Sequence, residues 1–135
     1  FQRGAGAWFA RGIVYFATTE DDRVWALDVV RNRLELLYDA AALGPDAPLR
    51  EPDNVTVAPS GDIYVAEDDD DLQLVLLADA RGGRLAAPFL QLFGHGGSEI
   101  AGPAFSPDGR RLYFSSQRDR TGAGMTFEVA GPLRR

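Results

Sequence analysis

The sequence contains no cysteine and no lysine, and it has one histidine and one methionine among 135 residues. Without cysteine, the chain has no disulfide, no thiolate nucleophile and no zinc site held by cysteine. No apolar run approaches the roughly 20 residues that a membrane-spanning helix needs, and the N-terminal residues carry no signal-peptide pattern. The net charge of -6 argues against a nucleic-acid-binding protein, which needs a basic surface.

Three short apolar segments recur along the chain at a regular spacing. Their tyrosines, Tyr15, Tyr64 and Tyr113, are 49 residues apart. Each segment follows a glycine-containing turn suited to a tight hairpin, and each turn follows another short segment with strand character. A third and a fourth strand follow in the first two repeats. Four antiparallel strands at this period are typical of a propeller blade. An ordinary β-sandwich with coincidental spacing is the alternative.

The pattern predicts an all-β fold, a half β-propeller of three four-stranded blades in a single domain, residues 1–135. The blades span about residues 6–38, 54–92 and 102–129. Helical periodicity is confined to residues 39–43. The third blade is short, because residues 125–129 form its third strand but the tail from Pro132 gives no clear fourth. A strand from elsewhere, such as the N-terminus of a neighbouring chain, can fill that place.

Three blades are too few to close a propeller, which needs about 4 to 8. An open arc leaves two end faces, which we expect to be apolar and to drive association. A two-fold axis along the channel joins two arcs into a six-bladed ring, so the prediction is a homodimer. The alternative is that the chain is a fragment of a longer protein.

Acidic residues are concentrated in loops that a propeller brings to one mouth of its channel. Loops entering the innermost strands contain Glu51, Asp53, Asn54 and Glu99, and the loop after the second strand of blade two begins with Glu67. Gathered carboxylates need a cation, and calcium takes 6 to 8 oxygen ligands. These five residues are the predicted metal ligands. Their alternatives are a turn role for Asn54 and a solvated loop for Glu99, while residues 69–71 can simply solvate a hairpin tip.

His95 lies among three glycines and is a candidate for proton transfer, although a lone loop histidine is often incidental. Glu67 or Glu99 is predicted to position a water, and Arg50 or Arg118 to steady an anionic substrate. Ser98 is close to His95 in sequence, but no motif indicates a Ser–His–Asp triad.

Several phrases resemble the PhoX-type alkaline phosphatases. They lie at residues 1–8, 52–61, 67–68, 98–109 and 131–132, and Ser-Glu-x-x-Gly-x-x-Phe-Ser-Pro-Asp-Gly is the most specific of them. The resemblance implies a six-bladed propeller, calcium with or without iron in the channel and hydrolysis of phosphate esters. It also implies a periplasmic or secreted location, to which a cytoplasmic location is the alternative. A looser similarity is to calcium-dependent gluconolactonase and phosphotriesterase propellers, whose metal sits on Glu and Asn side chains.

The sequence departs from that family pattern at two points. Ala5 stands where the family carries Glu, and no cysteine is present to bind iron, so calcium or another divalent metal is expected rather than iron. We therefore predict a metal-dependent phosphate-ester hydrolase that acts on a small anionic ester, with some promiscuity toward phosphotriesters or lactones. The alternative is a non-catalytic half-propeller that serves binding or assembly.

Overall fold

The computed structural model describes residues 1–68, 72–80, 83–119, 121–131 and 133–134. These residues form three antiparallel sheets of four, four and three strands with one four-residue helix. The predicted all-β class is therefore confirmed. No helix in the described part of the chain is long and apolar enough to cross a membrane.

The first sheet contains four strands in chain order. They are β1 (Gly4–Ala10), β2 (Ile13–Thr18), β3 (Arg23–Asp28) and β4 (Arg33–Asp39). Arg11 and Gly12 join β1 to β2 with φ angles of 52° and 82°, and two positive values in succession match a type I′ hairpin turn. Helix α1 (Ala40–Leu43) follows β4 directly and confirms the predicted short helix.

The second sheet also has its strands in chain order. They are β5 (Pro52–Val57), β6 (Ile63–Glu67), β7 (Gln73–Ala80) and β8 (Gly83–Gln91). β8 begins at Gly83, whereas the sequence pattern placed the start of this strand at Pro88. Proline is tolerated inside β8 because β8 is the outer strand of its sheet and Pro88 lies beside a register shift opposite Val75.

The third sheet contains β9 (Ile100–Phe105), β10 (Arg111–Ser116) and β11 (Met125–Ala130). β11 confirms the predicted third strand of this repeat. The described residues add no fourth strand to it, so the four-stranded form predicted for the third repeat is not observed. Pro132 lies outside the described residues.

The three sheets repeat in detail as well as in strand order. Each first strand carries a register shift against its second strand at a similar place, between Gly4 and Ala7 in β1 and between Pro52 and Asn54 in β5. The third shift lies in β9, opposite Tyr113 and Ser115. β5 packs beside both β1 and β9, so the three first strands are neighbours.

Two apolar cores separate the sheets. The first core lies between the first and second sheets, and the second lies between the second and third. Every residue of β6 is buried, because the second sheet is covered on both faces. The largest fully buried apolar side chains are Leu49, Leu72, Leu74, Leu77, Ile100 and Leu112.

The outer faces of the first and third sheets differ, which corrects the expectation of two apolar faces. We call the outer face of the first sheet the aromatic face; it contains Phe9, Val14, Phe16, Trp25, Leu27 and Leu34, with Phe1 packed over it. We call the outer face of the third sheet the polar face; it contains Arg111, Tyr113, Ser115, Thr126 and Glu128. The polar face arises because β10 alternates and turns its apolar residues, Leu112 and Phe114, into the second core.

Candidate functional site

The loops that enter the first strands and the loops that follow the second strands meet at one end of the sheets, which we call the loop end. One backbone hydrogen bond recurs there in every sheet. It runs from Thr19 N to Arg3 O at 2.9 Å, from Asp68 N to Glu51 O at 3.0 Å and from Gln117 N to Glu99 O at 3.0 Å. Glu51 and Glu99 therefore hold equivalent positions, and a cation, Arg3, holds the corresponding position in the first sheet.

Asp53 and Asn54 lie at the start of β5, where the register shift leaves Asp53 as the extra residue. Such bulges re-aim a side chain and are frequent beside functional sites. The Asn54 amide donates to the Asp53 carboxylate, and Asn54 Oδ1 accepts from Gly102 N at 3.3 Å. Asn54 thus links the first strands of the second and third sheets. The alternative raised from the sequence, a turn role confined to its own loop, does not describe this contact.

The charge around Asp53 is only partly compensated. Burial raises the pKa of Asp53, and the nearby Asp68 carboxylate raises it further, while the Asn54 hydrogen bond and Arg3 act in the opposite direction. Arg3 forms an ion pair with Asp68 at 3.1 Å. The site therefore holds two carboxylates and an amide close to a single cation.

Glu67 ends β6 and is 2% exposed. Its Oε1 accepts from Arg50 N at 2.9 Å, so the carboxylate holds the loop that leads into β5. The Arg50 guanidinium donates to Gly44 O at 2.8 Å and Pro45 O at 3.3 Å, and it pairs with Asp22 at 3.4 Å. Both residues predicted for catalysis here are thus engaged in anchoring the loop.

His95 belongs to a network with two buried serines, Ser98 and Ser116, and sequence reasoning considered only the first of them. Its Nδ1 lies 3.0 Å from Ser116 Oγ, which in turn lies 2.6 Å from Ser98 Oγ. The imidazole also packs edge-on against Phe127. Thr18, Glu67 and Ser116 follow one another at intervals of 49 residues, so they hold the same position in the three repeats. A polar residue at this strand end in every repeat was the sequence signal that could have identified Ser116.

Glu99 and Arg118 are brought together beside this network. Glu99 Oε1 pairs with Arg118 Nη2 at 3.2 Å, and Glu99 Oε2 accepts from Gln117 Nε2 at 2.9 Å. Arg118 Nε donates to Gly97 O at 2.8 Å, and Arg118 N donates to Ser98 Oγ at 3.1 Å. The guanidinium remains about half exposed, so Arg118 is the predicted cation that is best placed to meet a solute at the loop end.

The predicted metal ligands take part in several different contacts at the loop end. Across the residues that the structure describes, no group of three or more His, Cys, Asp or Glu side chains is placed to hold a metal ion. Asp53 and Asn54 meet, whereas Glu67 accepts from Arg50 N in the loop before β5, and Glu99 bonds to Gln117 and Arg118 in the loop after β10. The acidic residues 69–71 lie outside the described residues.

Comparison with known proteins gives one family. Residues 18–119 match the family model described as alkaline phosphatase PhoX. None of the curated proteins compared with the chain matches it. The family match covers all of the second sheet, the last two strands of the first sheet and the first two strands of the third, including the loop end with His95, Glu99 and Arg118. The chain therefore belongs to the PhoX alkaline phosphatase family.

Proposed function

We propose that this protein is a metal-dependent hydrolase of phosphate esters, and that a second copy completes its three sheets into a six-bladed propeller. The observation that carries the proposal is the family match over residues 18–119. The loop-end geometry supports it, because Arg118, Glu99 and His95 lie in one hydrogen-bonded neighbourhood there. Each of these three residues was a candidate from the sequence.

The packing of the sheets supports the blade arrangement. The first strands approach each other so closely that a Cβ on Gly6 would lie 2.5 Å from the Asp53 carbonyl oxygen. Thr19 Oγ1 donates to Pro52 O at 3.0 Å, which ties the first sheet to the first strand of the second. Face-to-face sheets whose first strands lie side by side are what consecutive propeller blades require. We propose that the blades span residues 6–38, 54–92 and 102–129.

The proposed cation is calcium, held by Asp53 and Asn54 with Asp68 beside them. Carboxylate and amide oxygens are the ligands that calcium prefers. Burial and, secondarily, the neighbouring Asp68 carboxylate raise the pKa of Asp53, so a cation beside these two carboxylates would stabilise their ionised forms. One chain supplies fewer than the 6 to 8 oxygens that calcium takes, and in the proposed ring the second copy brings the same residues again. A bound cation of this kind polarises a phosphoryl oxygen and lowers the pKa of water.

The chain's own side chains have distinct proposed tasks. Arg118 binds the anionic ester through its exposed guanidinium, and Glu99 orients that guanidinium. His95 shares Nδ1 with Ser116, which leaves Nε2 to hold or deliver a proton. Glu67 and Arg50 position the loop that carries Glu51 and Asp53.

The test is hydrolysis of a chromogenic phosphate monoester by the full chain. A chelator is expected to abolish turnover and calcium to restore it. Asp53→Asn should remove both calcium binding and activity, whereas Asp79→Asn, which changes an 88% exposed carboxylate at the far end of β7, should change neither. Absence of turnover of phosphate monoesters, phosphotriesters, sulfate esters and lactones with every divalent metal would refute the hydrolase.

The competing proposal is a non-catalytic module for binding or assembly, including the case in which the chain is part of a longer phosphatase. It is favoured by Ala5, which replaces the Glu of the family phrase, and by the lack of three converging carboxylates among the described residues. This alternative predicts binding of inorganic phosphate or calcium without turnover. Calorimetry on the same preparation as the activity assay separates the two.

A further inference from the structure

The aromatic face of the first sheet needs a partner. Phe9 on β1 is 63% exposed, and it lies in register with Val14 of β2. Leu34 continues the same face and is 45% exposed. A contiguous apolar surface of this kind marks an interaction site rather than scattered surface residues.

The interface between the second and third sheets shows which residue packs on the equivalent face inside the chain. Tyr64 on β6 packs against Phe105 on β9 with ring centroids 5.0 Å apart. Phe105 lies in register with Leu112 of β10, as Phe9 does with Val14 of β2. Phe105 therefore occupies on the third sheet the position that Phe9 occupies on the first.

The interface between the first and second sheets follows the same rule. Tyr15 and Val57 both pack on the first core, and Val57 is the repeat equivalent of Phe9 and Phe105, 48 residues from each. At both internal interfaces, the tyrosine of one sheet therefore faces the first strand of the next. Tyr113, the third member of the series, lies on the polar face with no following sheet in the described chain.

We infer that Tyr113 of one copy packs on Phe9 of a second copy, and that this contact forms both seams of the ring. The inference rests on the proposed ring closure and specifies its geometry. The proposed partner is a second copy, because Tyr113 and Ser115 on its polar face hold the positions that Tyr64 and Ala66 hold on the second sheet. Tyr64 and Ala66 are the residues that pack against the third sheet within one chain. A second copy in this register would continue an interface that the chain already contains.

The polar groups beside Tyr113 are compatible with burial in a seam. The Tyr113 hydroxyl donates to Glu128 Oε2 at 2.8 Å, and Arg111 pairs with the same oxygen at 3.3 Å. The contact therefore leaves the hydroxyl bonded. Glu128 and Thr126 stand where β7 has Leu76 and Leu74, so this seam is less apolar than the internal ones. We therefore expect a dimer that dissociates on dilution.

Cysteine cross-linking tests the contact directly, because the natural chain has no cysteine. Phe9→Cys and Tyr113→Cys chains are purified separately, mixed and treated with a short bismaleimide. The inference predicts a covalent dimer in the mixture and none in either variant alone. Phe93→Cys, a 78% exposed position in the loop after β8, replaces Phe9→Cys in the control mixture and should give no product.

The outcomes separate this contact from ring closure itself. Untreated protein that remains monomeric at every concentration would refute ring closure and the contact with it. A dimer whose mixed variants do not cross-link, or in which Phe9→Cys links to itself, would refute only the contact. Ser115→Cys is the second reporter on the polar face, since it is nearly isosteric and remains usable if Tyr113→Cys does not fold.

Discussion

The replacement Tyr38→Phe tests how the loop before β5 is held. The Tyr38 side chain is buried, and its hydroxyl donates to Leu49 O at 2.9 Å and accepts from Leu49 N at 3.1 Å. Leu49 is itself 0% exposed, so water cannot replace the lost hydroxyl. Each buried group left without a partner costs about 1–3 kcal/mol. We therefore expect Tyr38→Phe to lower the free energy of unfolding by about 2–4 kcal/mol.

The assay is equilibrium unfolding in urea, followed by circular dichroism. A loss of that size is a large part of the roughly 5–15 kcal/mol that stabilises a typical domain, and it lowers Tm by about 10 °C at roughly 4 °C per kcal/mol. Tyr15→Phe is the matched control, because no described residue hydrogen-bonds its hydroxyl, and it should stay within about 0.5 kcal/mol. Equal effects of the two substitutions would refute the reasoning.

The remaining predictions concern backbone contact, charge and the histidine network. Gly6→Ala should destabilise the fold by about 1–3 kcal/mol, since the new Cβ would meet backbone 2.5 Å away, whereas Gly4→Ala, with nothing within 4 Å, should be neutral in urea unfolding. Because the pKa of Asp53 is raised in the folded protein, protonated Asp53 stabilises the fold below the unfolded pKa, and this stabilisation is lost as pH rises through the folded pKa. Asp53→Asn should therefore raise Tm at neutral pH in the presence of a chelator. An unchanged or lower Tm would contradict this account. Ser116→Ala should lower kcat, because His95 Nδ1 loses the hydroxyl that orients the imidazole, and an unchanged kcat would place His95 outside proton transfer.

Much of the fold followed from the sequence because hairpins and strand periodicity are local features. Gly12 and Gly61 marked turns whose positive φ angles the structure contains, and the tyrosine spacing identified the repeat. The start of β8 was missed because Gly83 to Ala87 lacks β-branched residues. The polar face was also missed, since the side of β10 that reaches the core depends on the neighbouring sheet.

The candidate site was predictable as a set of loops but not as a set of contacts. The 48-residue spacing between Glu51 and Glu99 in the sequence matches the equivalent backbone hydrogen bonds that the two residues accept in the structure. The engagement of Arg50 by Gly44 and Pro45, and the link from His95 through Ser116, depend on how distant loops pack. Spacing places residues at one end of a sheet, while hydrogen-bond partners are decided by tertiary structure.

Analytical ultracentrifugation of the full chain over a range of concentrations, with and without calcium, tests the central claim most directly. A second copy that completes the ring predicts a particle of twice 14.7 kDa that dissociates on dilution and is stabilised by calcium. A single 14.7 kDa species at every concentration, unaffected by calcium, would contradict it.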